Sequence, residues 1–219
     1  MKKLLLALMP LCLLLAACGN ASREEKHVDV VTTLFPAYDF ARNIAGDRLQ
    51  VELMVPAGSD IHSFEPSARD LAAMQTALVI YNGGESEHWV EEILRNADGP
   101  APLRMMDCVD VVEEELKEGM EVLPHSHGGE SCTEDHGHED EGEFDEHVWT
   151  SPRNAVKICE EICERFCELD PEGESVYREN LEKYREKLLA LDEQFRLVTA
   201  QAPLDTLVFA DRFPVRYFV

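Results

Sequence analysis

Between Val28 and Ala97, segments of two different periods take turns, and that alternation limits the architecture more than any other feature of the chain. "VDVVTTL" (Val28 to Leu34) is a β-branched, strand-like run, and "FPAYDFARNIAGD" follows with helical spacing and a stop at Gly46. "LQVELMV" (Leu49 to Val55) is a second strand-like run, closed by the turn-forming "PAGSD". A short helical segment around "SARDLAAMQTA", a third apolar run in "ALVIYNGG" and a helical segment around "EHWVEEILRNA" come next. Strands bounded by turn residues and separated by helices predict an α/β fold with a Rossmann-like parallel sheet. The ligand site of such a sheet lies beyond the carboxyl ends of its strands. A fourth, weaker strand is expected in "LRMMDCVDVV".

The second half is helical. In "WTSPRNAVKICEEICERFCELD", Ser151 suits the N-cap and Pro152 the first helical position. From about Pro171 to Ala200 the residues Tyr177, Leu181, Tyr184, Leu188, Leu191, Phe195 and Val198 alternate spacings of four and three. That stripe predicts one helix of roughly 45 Å, at about 1.5 Å per residue. A coiled coil is the alternative, weakened by globular flanks and by the lack of a second such segment. "LDTLVFAD" (Leu204 to Asp211) then reads as a strand opening a second α/β unit, with "RFPVRYFV" as the beginning of its helix. The expected organisation is an N-terminal lobe over 28–170, a connecting helix over 171–201, and the start of a second lobe over 202–219, truncated at Val219.

The first eighteen residues, "MKKLLLALMPLCLLLAAC", combine two lysines, an apolar run and small residues before Cys18. This is an export signal, too short to span a bilayer as a helix. "LAAC" resembles the bacterial lipobox, which makes Cys18 the lipidation site and 19–27 a polar tether. An ordinary signal peptide or an uncleaved anchor leads to the same side of the membrane. Cys159, Cys163 and Cys167 stand four apart among Ile158, Ile162 and Phe166, as small core hydrophobes on one helix face, with a thiolate metal site as the alternative; disulfides among them are disfavoured by geometry.

Charge narrows the function. With 20 Lys and Arg against 44 Asp and Glu, for a net charge of −24, the chain is a poor ligand for nucleic acid and a good one for cations. Between Glu113 and Glu146 few residues could build a core, so 113–146 is expected to be a surface loop. It carries His125, His127, His136 and His138 among carboxylates, redundant ligands suited to weak, fast Zn2+ binding. A solvated acidic linker with chance histidines is the bland reading of the same tract. His62 in "SDIHSFEP" follows the second strand, where α/β sheets place ligand loops, and His147 in "DEHVWTSP" precedes a helix start. Neutral imidazole ligates Zn2+ when another group fixes its second nitrogen, and Asp60, Glu65 and Asp145 stand close enough in sequence for that role. On their own, two histidines so far apart are more often capping or surface residues than ligands. His88 lacks such a context and reads as a helix-surface residue.

Taken together, the lipobox, "LFPAYDFARNIAGD", "VPAGSDIHSFEPSARDL", "YNGG" with "EHWVEEIL", the His-rich acidic insertion, "DEHVWTSPRNA" and the long helix ending in "LVFAD" resemble the metal-binding solute-binding lipoproteins of zinc (and zinc/manganese) ABC importers. The resemblance implies two α/β lobes joined by one rigid helix with metal between them, and it makes His62 and His147 metal ligands. It places a third histidine in the segment matching "FADRFPVRY", where this chain has none and Asp211 is the nearest residue able to ligate. Either Asp211 replaces the imidazole, which moves preference towards Mn2+, or the remaining ligands belong to further second-lobe sequence. The resemblance further implies Zn2+ as cargo (Mn2+ being possible), a membrane permease as partner, an extracytoplasmic lipid-anchored monomer and no catalysis. A surface zinc buffer or adhesin is the alternative. An exported zinc hydrolase is disfavoured because no HEXXH or GXSXG arrangement is present.

Overall fold

The computed structural model describes residues 27–56, 58–59, 64–114, 144–204, 206, 208 and 214–218. Its strands are β1 (Val30–Thr32), β2 (Val51–Leu53), β3 (Leu78–Tyr81) and β4 (Leu103–Arg104), and its helices are α1 (Phe35–Ala45), α2 (Ala68–Met74), α3 (His88–Leu94), α4 (Pro152–Leu169) and α5 (Glu174–Ala200). The strands form one parallel sheet in the order β2-β1-β3-β4. The α/β expectation is met. Its weak fourth strand is shorter than expected, because the chain turns at Met105 into a single 3-10 turn ending at Cys108.

Successive side chains along a strand point to opposite faces, so β1 and β3 each feed two cores. Val30, Leu78 and Ile80 face a core built with Ala37, Phe40, Ala41 and Ile44 of α1 and with the buried sides of α4 and α5. Val31, Val79 and Tyr81 face the other core, with Met54, Met74 of α2 and Val90 of α3. Burial on both faces explains why β1 and β3 read as continuous apolar runs rather than as polar–apolar alternation.

Helix ends follow their capping residues. Ser67 and Asp70 form a reciprocal capping box on α2, and the Ser151 side chain accepts from Asn154 N–H ahead of Pro152 on α4. At the end of α1, Gly46 adopts φ +60°, a conformation that costs other residues strain. The Ile44 carbonyl, left over at that helix end, accepts a 3.0 Å hydrogen bond from Asn180 Nδ2 on α5. The α4–α5 hairpin turns through Pro171–Gly173, where Asp170 Oδ2 accepts from Tyr177 Oη at 2.6 Å and meets Arg48 at 2.7 Å.

Cys159 and Cys163 are buried in the α1–α4–α5 core and Cys167 packs at its edge, all as free thiols. The stripe on α5 is covered along only part of its length. Tyr177, Leu181 and Leu188 are buried and Tyr184 is half-buried, whereas Leu191 and Phe195 are 41% exposed and Val198 69%. The helix outruns the lobe it packs on. Within "LDTLVFAD", Leu204, Thr206 and Val208 carry no strand, and the rest of that segment lies outside the described residues. Where a helix was expected, 214–218 form a turn in which Phe218 N–H reaches back only three residues, to the Val215 carbonyl at 2.9 Å.

Candidate metal centre

In the order β2-β1-β3-β4 the chain leaves β1 in opposite directions, which opens a crevice beyond the carboxyl ends of β1 and β3. Thr33, following β1, and Asn82, following β3, sit there, both buried, and the segment Asp145–Trp149 meets Asn82. Asn82 makes that join: its Nδ2 donates to the Glu146 carbonyl at 2.8 Å and to the Gly83 carbonyl at 3.2 Å. The Glu146 carboxylate accepts from Ser86 through both N–H, at 3.1 Å, and hydroxyl. Gly84, at φ +86°, permits this approach, since a Cβ there would collide with the Glu146 carboxylate.

Glu87 braces the loop from beneath. Its side chain is fully buried, and its Oε2 accepts from the amides of Asn82 at 2.5 Å and Gly83 at 2.9 Å. Burial pushes its carboxyl above the usual range; the Thr33 hydroxyl and the two amides temper that rise, and the Glu146 charge adds to it. Neither Thr33 Oγ1 nor Glu87 Oε1 completes a hydrogen bond of ordinary geometry, and Asn82 Oδ1 is likewise buried without one.

On this base stands His147. Its backbone N–H and ring Nδ1 both lie 2.8 Å from Asp145 Oδ1, and Trp149 packs against the ring at 5.5 Å between centroids. An ionised carboxylate only accepts, so the neutral imidazole carries its proton on Nδ1 and presents the Nε2 lone pair. Burial acts to raise the Asp145 carboxyl, but the hydrogen bonds and charge of His147 outweigh it, with help from Arg216, and hold it below the ordinary carboxylate range. Asp145 is 6% exposed and the His147 side chain 37%, so the carboxylate is shielded while the ring edge reaches solvent. That is the arrangement of a carboxylate-oriented metal-binding histidine.

Of the other residues singled out in the sequence, Glu65 is exposed ahead of α2 and His88 lies on the surface of α3, 3.8 Å from Glu92. Cys18, Asp60, His62, His125, His127, His136, His138 and Asp211 lie outside the described residues. The flanks of the His62 segment are anchored: Met54 N–H donates to the Thr32 carbonyl at 2.8 Å, and Phe64 packs on Trp89 at 5.8 Å between ring centroids. Among the described residues no three His, Cys, Asp or Glu side chains converge as a metal cage, and no helix is long and apolar enough to cross a membrane. Asn82, Glu87 and Glu146, which brace the loop beside His147, are side chains that sequence reasoning passed over. The signal available for them was an acid run directly after the paired glycines of "YNGGESE".

The model of the family described as the periplasmic zinc-uptake complex component A, ZnuA, matches residues 30–219. The chain belongs to the ZnuA family. It is 35% identical over 213 residues to the zinc-binding lipoprotein AdcA of Streptococcus pneumoniae, covering 95% of this chain and 40% of that protein. It is 32% identical over 197 residues to the high-affinity zinc uptake system protein ZnuA of Bacillus subtilis, covering 87% of this chain and 59% of the relative. The fold matches the crystal structure of Zn(II)-bound AdcA from Streptococcus pneumoniae with a TM-score of 0.65 and 26% identity, over 87% of this chain and 36% of that one. The chain thus spans about two fifths to three fifths of the length of these ZnuA-family relatives.

Proposed function

We propose that this chain captures Zn2+ outside the cytoplasmic membrane as a solute-binding protein and hands it to the permease of an ABC importer, without a catalytic step. The observation that carries this reading is His147, whose Nδ1 is held by buried Asp145 and whose Nε2 is left to ligate, inside a match to the zinc-uptake family. His62 and Asp211 complete the proposed centre from the segments that follow β2 and α5. A ligand set of two imidazoles and one carboxylate suits Zn2+, and the oxygen ligand leaves Mn2+ as a competitor. His125, His127, His136 and His138 supply weaker sites that collect ions. Cys18 anchors a monomer by lipid, residues 28–170 form the metal-binding lobe, and α5 leads on to the second.

A competitive zinc and manganese titration of the purified chain, against the His62→Ala plus His147→Ala double variant, tests this. One zinc-preferring site is expected to vanish in the variant while weaker sites persist. Identical titrations would place all binding in the His/acid tract and leave a metal buffer with no tight centre.

A further inference from the structure

Tyr217 lies in the turn over 214–218, far in sequence from His147, and its hydroxyl joins two backbone groups that would otherwise bond to each other. It accepts from Val112 N–H at 3.2 Å and donates to the Asp145 carbonyl at 2.6 Å. Val112 and Asp145 face one another at the neck of the His/acid tract, beside the antiparallel bridge between Glu113 and Phe144. Asp145 N–H donates to the Val112 carbonyl at 2.9 Å. A hydrogen-bonded pair in an antiparallel ladder exchanges two such bonds. Here the second rung is relayed through the phenol, which has one proton to give and lone pairs to receive.

The same segment reaches Asp145 by a second route and is itself tied down. The Arg216 charge favours the ionised Asp145 carboxylate. Phe218 meets Phe195 of α5 edge-on, with ring centroids 4.5 Å apart. A continuous series of contacts therefore runs from α5 through Phe218 and Tyr217 to the Asp145 backbone, and from the Asp145 carboxylate to the His147 ring.

We infer that Tyr217 is a positioning residue for metal capture, which by closing the neck rung sets the Asp145 backbone and, through it, the ring of His147. This rests on the reading of His147 as a ligand. Tyr217 needs no contact with the ion, and the tract's own histidines need take no part. The segment after α5 thereby acts on the first-lobe half of the centre.

Tyr217→Phe removes the relay and keeps the ring. Three forms of the purified chain, wild type, Tyr217→Phe and His147→Ala, are titrated with Zn2+ alone against a chelator. The ring nitrogens of His147 are followed by 15N NMR in the metal-free wild type and Tyr217→Phe chains at mildly alkaline pH. Removing a partner that orients a metal ligand typically weakens metal binding about 10-fold or more. Tyr217→Phe is therefore expected to lower tight-site affinity about 10-fold and to spread His147 over both neutral tautomers, with the thermal midpoint of the metal-free chain near wild type. Unchanged affinity with an unchanged tautomer overturns the inference. So does an affinity loss that tracks a fall in thermal midpoint while the tautomer stays on Nδ1, because that would mark a merely structural tyrosine. If His147→Ala binds Zn2+ as wild type does, the site itself is misassigned and the inference falls with it.

Discussion

Glu87 sits without solvent contact, yet its Oε2 holds two amides of the loop that carries Asn82. Because its folded pKa is raised, the fold favours the protonated acid. The stability this confers is fully present below the unfolded value of about 4.3 and is lost as pH rises through the folded one. Glu87→Gln keeps an oxygen for the two amides and mimics the neutral acid. Its thermal midpoint, measured from pH 4 to pH 8, should therefore gain on wild type as pH rises, whereas a flat difference would mean the carboxyl ionises normally. None of this was legible in the sequence, where glutamate defaults to the surface. The pairing of Asp145 with His147 could be anticipated, since the two are near neighbours in sequence and the chemistry of a ligating imidazole calls for such a partner. Which face of the loop Asn82 and Glu146 would share depends on a meeting of segments 64 residues apart, which no local pattern encodes.

At the scale of elements, periodicity did most of the predicting. Strand runs and helical stripes announced themselves because β1 and β3 are buried on both faces and the longer helices along one. The cysteine face of α4 is such a case: residues four apart enter one core, so Cys159 and Cys163 serve as small apolar side chains. Burial pushes the Cys163 thiol up to about 12, as it does that of Cys108, and raises Cys159 as well. Alkylation of the folded chain near pH 8 should leave Cys159 and Cys163 unmodified and label them quickly once the chain is denatured, with mass spectrometry of the peptides as the readout. Prompt labelling in the folded chain would show that α4 does not pack as described. The covered length of α5 escaped prediction because a stripe records which side of a helix is apolar and carries no information on how far a neighbour extends.

The whole molecule joins a tightly packed lobe to a helix that leaves it. Leu191, Phe195 and Val198 continue the stripe along the far half of α5 with 41%, 41% and 69% of their surface exposed. Contiguous apolar surface of this kind attracts apolar probes. The chain should bind a hydrophobic fluorescent dye, and Leu191→Lys combined with Val198→Lys should cut that fluorescence without moving the thermal midpoint. Unaltered dye binding would place the apolar surface elsewhere. The bond from Asn180 to the Ile44 carbonyl joins residues 136 apart, with the whole His/acid tract between them in sequence. A chain delivered from its amino end brings α1 before α5, so the Ile44 carbonyl keeps to water until the residues beyond the tract arrive, and the length of the tract sets how long it waits.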